Sequence, residues 1–530
     1  MEESNKQVEQ GRVDLSTAKV MSETFFISAS RIIIMVLKPI RAFFLGRYLG
    51  PVLYGIMNIA TPYIQILTLS SNIGFSYVLM RDIPAEIHSG NKDRARAIFH
   101  SAEFLVIALS SLWYILLFIF SRPILEHWAH QPDALVPFRV YTLMIPFLAI
   151  NTFYFAVFIA FQRGKQRAKI FLFYGLLSII FPIAAVIWKR NIALVAGGFV
   201  AAELIGSVVF TVVFRSRVIP AFRRLSGYFS TGIKKLFSRG IFFFFTSLGW
   251  NLLNSLDRIL IKFYLPAREL GYYSISILFI TVLAAFSSTL GQALIPSLTA
   301  VRGEGNQNAF RKQIINTSRI GFIIIIPVVV MTYVLAEDLI MVLIPSFAPA
   351  VILVQILIFI GIFDLINHVA KASIVACDRG GWLAATYIFC AVWNVVWNIV
   401  LIPRMGLEGA AVASLSSYLI LASALHLLMT RFSGVKLKLS HLVMPLVFSA
   451  VYVLLKWALP EMGHLPELLI VASGGTAIYL LLLIAGGMIT SGDIARSREA
   501  IIKREETRHV RIALKALSAL DVMIRKFDRR

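Results

Sequence analysis

Cysteine is nearly missing from these 530 residues: Cys377 and Cys390 are the whole complement. Two thiols cannot build a disulfide framework, and no CxxC spacing suggests a metal site. Acid is scarce too, with 28 Asp and Glu against 51 Lys and Arg, a net charge of +23. In a soluble chain such an imbalance points to nucleic acid. Here no soluble basic domain exists to hold a duplex, so nucleic acid is not expected as a partner. The first twenty residues are polar and mix acids with bases. A cleaved signal peptide is therefore not expected, and the first apolar segment must act as the insertion signal.

What the chain has in abundance is apolar sequence. Hydrophobic residues make up 58% of it and the mean hydropathy is +0.79. They come in long blocks such as 99–120, 170–188 and 468–488. About twenty helical residues cross a hydrocarbon core of roughly 30 Å, and runs this long satisfy their backbone in lipid as helices. The expected fold is an all-α polytopic membrane protein with about fourteen transmembrane helices. Counting Lys and Arg in alternate loops gives 22 on the side of both termini and six on the other. The positive-inside rule then places both termini in the cytoplasm of a cell membrane, with the basic loops against anionic lipid. No loop on the outer side exceeds about twenty residues, which leaves no room for the outer catalytic domain of a membrane transferase. An enzyme is not expected.

The sequence also repeats. Pro51 and Gly55 correspond to Pro266 and Gly271; Gly90-Asn91 corresponds to Gly305-Asn306; residues 160–164 correspond to 376–380; Gly198 corresponds to Gly409. Several matches at nearly one shift define two related lobes of six spans. The implied organisation is a cytoplasmic segment (1–20), an N-lobe (21–214), a basic connector (215–240) and a C-lobe (241–430). Two extra C-terminal spans (441–489) and a basic amphipathic tail (490–530) complete it. Six spans is an even number, so the repeats are parallel and related by an axis along the membrane normal. That arrangement puts a site between the lobes and allows alternating access.

Ionisable side chains at bilayer depth mark such a site. Span one carries Arg31, Lys38 and Arg41 on one helical face, beside Pro39. Span seven, its equivalent, carries Asn251, Asn254, Asp257, Arg258 and Lys262. Asn58, Gln65 and Asn72 recur every seven residues in span two, and span ten has Asp364, Asn367, His368 and Lys371 on one face. Plainer readings stand beside these. Arg31, Arg41 and Lys262 are also placed to snorkel to an interface, Asp257 to pair with Arg258, Asp364 with Lys371, and the amides to glue helices. Taken together, spans one, seven and ten hold six bases against two acids. A cationic cavity of that kind suits an anionic head group such as a phosphate or diphosphate.

Four short stretches carry a resemblance. Arg47-Tyr48-Leu49-Gly50-Pro51 with Tyr54-Gly55 follows span one. Asp257-Arg258 with Leu270-Gly271-Tyr272-Tyr273 marks the second lobe, and Pro403-Arg404-Met405-Gly406 with Gly409-Ala410-Ala411 precedes span twelve. Over residues 20 to about 485 the chain resembles the polysaccharide and O-antigen flippases of the multidrug/oligosaccharidyl-lipid/polysaccharide exporter superfamily. The resemblance implies a flippase for a polyprenyl-diphosphate-linked oligosaccharide. Arg31, Lys38, Arg258 and Lys371 would contact the diphosphate, and Asn58, Gln65 and Asn72 the sugar hydroxyls. Arg41, Asn251, Asn254, Lys262 and His368 would complete the binding surface. Asp257 and Asp364 are the candidates for coupling to protons or sodium; no other cofactor is implied. A monomer is expected, with the tail lying on the membrane surface as an interfacial helix or, as the alternative, binding glycan-assembly enzymes. Two alternatives of the same architecture stay open, a cation-coupled multidrug exporter and a peptidoglycan-precursor flippase. The bases in span one, and Tyr54-Gly55-Ile56 where the precursor flippases carry Asp-Ala-Phe, favour the polysaccharide branch.

Overall fold

The computed structural model describes residues 17–161, 163–218 and 229–488. The N-terminal segment before residue 17 and the expected tail at 490–530 lie outside the described residues. Within them every regular element is a helix. The N-lobe contains α1 (Thr17–Asn58), α2 (Ala60–Asn72), α3 (Phe75–His88), α4 (Lys92–Pro123), α5 (Leu135–Thr142), α6 (Met144–Ala160), α7 (Gly164–Trp188) and α8 (Ile192–Val213). The C-lobe contains α9 (Phe229–Tyr264), α10 (Ala267–Gly303), α11 (Gln307–Val334), α12 (Ala336–Leu343), α13 (Val351–Leu357), α14 (Ile360–Ala376) and α15 (Gly381–Ser433). Two further helices follow, α16 (Ser440–Ala458) and α17 (His464–Ala485). The connector expected at 215–240 is already helical from Phe229, so span seven extends well beyond its apolar stretch.

Nine of the described helices are long and apolar enough to cross a membrane, or up to eleven when each bent pair is taken as one span. Two helices are longer than one crossing needs. α15 has 53 residues, about 80 Å at 1.5 Å per residue. Its dihedrals leave the helix at Gly406 (φ 60°, ψ −135°). Across that turn Trp393 Nε1 donates to Ser416 Oγ at 3.3 Å, so α15 is an antiparallel pair, spans eleven and twelve. α1 leaves the helix at Gly50 (φ 74°, ψ 172°), directly before Pro51. The corresponding place in the C-lobe is the break before Pro266 that separates α9 from α10. Only glycine adopts such dihedrals without strain. α1 keeps helical dihedrals through Pro39; its non-helical residue is Gly50. The arrangement is consistent with about fourteen crossings of the hydrocarbon core.

The repeat is visible in backbone geometry. Gly90 and Gly305 have φ of 80° and 70°, and Asn91 and Asn306 after them both have φ −83°. The equivalent dipeptides therefore make the same turn before spans three and nine.

The lobes meet backbone to backbone. A Cβ on Gly55 would stand 1.7 Å from the Ala267 carbonyl oxygen, and one on Gly271 would stand 2.2 Å from that of Pro51. These glycines are equivalent residues of the two lobes and cross near the face opposite the basic loops. Towards the basic-loop face, Gly74 lies as close to the Gly240 carbonyl. The seam is closed at both ends. One apolar core runs through both lobes, and a second, rich in phenylalanine, fills the N-lobe around Phe99, Phe153, Phe158 and Phe210.

α16 and α17 form a hairpin on the flank of α11. Tyr479 OH donates to the Ile323 carbonyl at 2.9 Å. Lys456 joins Asp338 of α12 at 2.7 Å and also Glu467, while His464 Nδ1 meets the other Asp338 oxygen at 2.8 Å. The last two spans are thus tied to the C-lobe by a charge cluster at one end and apolar packing along the rest.

Candidate functional site

The span-one stripe faces its own lobe before it faces the other. Ile34 fills the space left by Gly175 on α7. Two turns on, Arg41 Nη1 donates to the Ser178 carbonyl at 2.8 Å, and its guanidinium lies 4.5 Å over the Phe199 ring of α8. A delocalised cation on an aromatic face is a stable arrangement away from water. Arg41 Nε, buried, has no hydrogen-bond partner among the described residues. Lys38 is different: its side chain is accessible and lies within electrostatic reach of Arg41 and Glu203. The side chain of Arg31 lies outside the described residues.

The span-seven stripe splits in two, because consecutive helical residues diverge by about 100°. Asp257 points into the C-lobe and is 3% exposed. Tyr273 OH donates to its Oδ2 at 2.5 Å and lies 3.0 Å from Ser414 Oγ. Asn394 and Asn398 continue this network on α15. Arg258 points the other way. It lines a narrow cleft with Ile59, Tyr63 and Trp128 of the N-lobe, and its Nη2 donates to the Asn254 carbonyl at 3.2 Å. Asp257 and Arg258 share only the Arg258 backbone N–H bond to Asp257 Oδ1; they are not a side-chain pair. Lys262 is buried and donates to the Leu265 carbonyl at 3.3 Å, so it serves the C-terminal end of its own helix.

The two stripes converge on tyrosines. Tyr54 and Tyr141 each lie within electrostatic reach of both Arg41 and Arg258. A guanidinium from each lobe thus approaches the same pair of phenols. The sevenfold amide stripe, by contrast, is broken where α1 gives way to α2. Asn58 Nδ2 donates to the Tyr54 carbonyl and Asn72 Nδ2 to the Thr68 carbonyl, so these buried amides cap carbonyls of their own helices. Gln65 is the exposed member, and it accepts from Ser255 Oγ of span seven across the seam at 2.9 Å.

Span ten brings its four polar residues together with aromatics. Trp250 lies 5.9 Å from the His368 ring, 5.6 Å from Tyr387 and 6.1 Å from Tyr418. Lys371 Nζ stands 6.0 Å over Tyr387. Tyr418 OH donates to Asn254 Oδ1 at 2.6 Å, while Asn251 Nδ2 bonds back to the Ser247 carbonyl. Asp364 and Asn367 are each 1% exposed, and among the described residues none of their side-chain polar atoms has a hydrogen-bond partner. His368 Nε2 approaches Asp364 at 3.6 Å.

Sequence reasoning passed over two buried acids of the N-lobe. Glu203 is the one charged residue of α8; Asn151 Nδ2 donates to its Oε2 at 2.6 Å. Glu103 on α4 accepts from Tyr154 OH at 2.8 Å and Arg215 Nη2 at 2.7 Å, tying three helices together. A lone carboxylate inside an apolar run was the available signal. Among the described residues no group of three or more His, Cys, Asp or Glu could hold a metal ion.

Comparison with known proteins agrees with this architecture. The family described as polysaccharide biosynthesis protein matches residues 20–302, more than half of the chain, and the MatE family matches residues 243–400. An uncharacterized membrane protein of Methanocaldococcus jannaschii is 21% identical over 383 residues, covering 69% of this chain and 75% of that protein. Among solved structures, the lipid II flippase MurJ in an inward closed conformation matches with a TM-score of 0.70. That match covers 87% of this chain and 99% of MurJ at 14% identity. A eukaryotic MATE transporter matches with a TM-score of 0.60 over 78% of this chain and 98% of its own, also at 14% identity. At that identity the likeness is one of fold. A family model matched over more than half of the chain makes this multi-pass membrane protein a member of the polysaccharide biosynthesis protein family, and its two helical lobes share the fold of MurJ and of MATE transporters.

Proposed function

We propose that this protein is a flippase that carries a polyprenyl-diphosphate-linked oligosaccharide from the cytoplasmic to the outer leaflet by alternating access. The observation that carries the reading is the approach of Arg41 and Arg258, one from each lobe, to Tyr54 and Tyr141, with Lys38 accessible and within electrostatic reach of Arg41. Guanidinium forks and an ammonium suit a diphosphate. The tyrosines add donors and a face on which a sugar ring can stack. Gln65 is the amide best placed for a sugar hydroxyl, since Asn58 and Asn72 are engaged by their own helices. An apolar groove of about 240 Å³ among Phe322, Phe363, Leu419 and Leu442, with Lys438 and His426 at its polar end, suits part of an isoprenoid tail. The basic loops and both termini are cytoplasmic in this scheme, the protein acts as a monomer, and anionic lipid covers the loops. Asp257 and Asp364 are the positions for a coupling proton or sodium ion.

The test is reconstitution in liposomes with a fluorescent polyprenyl-diphosphate oligosaccharide. Transfer between leaflets above protein-free vesicles is expected. Lys38→Ala and Arg258→Ala are each expected to abolish it while protein levels hold, and full transfer by both variants would overturn the assignment. One observation favours a second reading, export of an organic cation: Trp250 packs with Tyr387, Tyr418 and His368, His368 approaches the buried Asp364, whose oxygens make no hydrogen bond among the described residues, and aromatic faces with an acid receive cations. Lys371 already stands over Tyr387 in that place, which argues for the anionic substrate. Transport of an organic cation that depends on Asp364, without lipid transfer, would reverse that choice.

A further inference from the structure

Glu203 sits where a carboxylate is least expected. α8 has 22 residues and no other charge, and Glu203 is the twelfth of them. It is therefore about 15 to 16 Å from the ends of the helix, at the depth where an isolated charge costs most. What faces it follows from how α1 and α8 run. Arg190 Nη2 donates to the Leu49 carbonyl at 3.0 Å, which pins the end of span one to the start of α8. From that pin the two helices descend together towards the basic-loop face. Arg41 covers Phe199. One turn further down α1 is Lys38, and one turn further down α8, at i+4 from Phe199, is Glu203. Lys38 lies eleven residues from Leu49, about 16 Å, and Glu203 twelve residues from Asn191, about 18 Å. They are level, and the two bases and the acid act on one another electrostatically. Asn151 holds one carboxylate oxygen, which aims the group and leaves the other free to turn to a cation.

We propose that Glu203 is an internal counter-anion of the cationic site: it balances Lys38 and Arg41 while the cavity is empty, and it competes with the anionic head group for them once substrate enters. The inference rests on the flippase reading. Two bases without an acid would bind a diphosphate tightly and release it slowly. A carboxylate held beside them weakens the bound state and returns to the bases as the head group leaves, which favours turnover over affinity. Entry of the diphosphate moves charge between partners and breaks no covalent bond.

The test uses full-length protein in nanodiscs and in liposomes. Glu203→Gln keeps the shape and an acceptor for Asn151 but removes the charge. It is expected to bind a fluorescent polyprenyl diphosphate about tenfold more tightly and to flip it more slowly at saturation. A structural role alone would not produce that opposition between affinity and rate. A second readout needs no substrate: acylation of Lys38 by a neutral amine-reactive ester, followed by mass spectrometry, is expected to be several-fold faster in Glu203→Gln, because the negative charge that favours the unreactive ammonium is gone. Glu203→Asp, which withdraws the charge by one methylene, is expected to show both changes in smaller measure and serves if the glutamine variant does not fold. Unchanged affinity with unchanged Lys38 reactivity would overturn the proposal, as would weaker binding, which would make Glu203 a positioning group. Faster acylation in a protein that binds no diphosphate in either form would leave the counter-anion in place and remove the flippase reading.

Discussion

The two lobes share one plan and differ in how one buried acid, Asp364, is held. In the N-lobe, Glu203 and Glu103 are both hydrogen-bonded, to Asn151 and to Tyr154 with Arg215. In the C-lobe, Asp257 is bonded through Tyr273, but Asp364 and Asn367 lie buried with no hydrogen-bond partner among the described residues. Unmet polar atoms at that depth are expensive, so a protein keeps them where something else is to come. The difference separates acids that are hydrogen-bonded within their lobe from one, Asp364, that is not. The helices of the repeat are equivalent, and their side chains diverge.

The largest effect is expected at what the lobes have in common. Gly55→Ala sets a methyl group against the Ala267 backbone, which cannot move aside cheaply. Loss of most folded protein, or of all transport by what remains, is expected in fluorescence-detected size exclusion and in the liposome assay. A normal elution profile with full transport would mean that the seam is not tight in the membrane. Next comes the hydrogen-bonded acid. Asn151→Leu strands the Glu203 carboxylate, and a destabilisation of about 1–3 kcal/mol, read as a lower melting temperature in detergent, is expected. Asp364 should behave with the opposite sign: Asp364→Asn removes a buried carboxyl group that makes no hydrogen bond, so melting is expected to stay level or rise, by about 1 kcal/mol or less, as coupled transport falls. Equal destabilisation by Asn151→Leu and Asp364→Asn would erase the contrast. The smallest effect is Gly197→Ala. Its Cβ meets nothing within 4 Å, whereas one on the adjacent Gly198 would stand 2.9 Å from the backbone of Phe181. A gain of about 0.5–1 kcal/mol in helix stability is expected from the former, with transport unchanged.

Much of the fold was legible because the bilayer imposes it. Long apolar blocks, loop charges and the recurrence of Gly-Asn at 90–91 and 305–306 each report on one segment or on two equivalent ones. The Gly-Asn pair then proved to be one turn made twice. The site was legible in part. Lys38 and Arg258 were marked by charge at bilayer depth; Lys38 lies within electrostatic reach of Arg41, and Arg258 lines a cleft with the N-lobe. The amide stripe misled in one respect, since a period of seven assumes an unbroken helix and α1 ends at Asn58. Asn58 and Asn72 consequently turn to their own carbonyls. Lys262 was marked for the same reason as Arg258 and lines the same cleft, while its ammonium also serves the end of its own helix. Glu203 escaped notice because no neighbour in sequence accompanies it; its partners come from α1 and α6.

By itself, then, the sequence determined that this chain spans a membrane many times as two related helical lobes. Those properties follow from hydropathy, charge and repetition, which are local quantities and add up along the chain. Only the tertiary structure decided which charges meet. It sent Asp257 and Arg258 to different lobes' surfaces, set Arg41 on Phe199 and level Lys38 with Glu203, and left Asp364 without a hydrogen bond. Pairing is a matter of distance and orientation between helices, and no single segment carries that information.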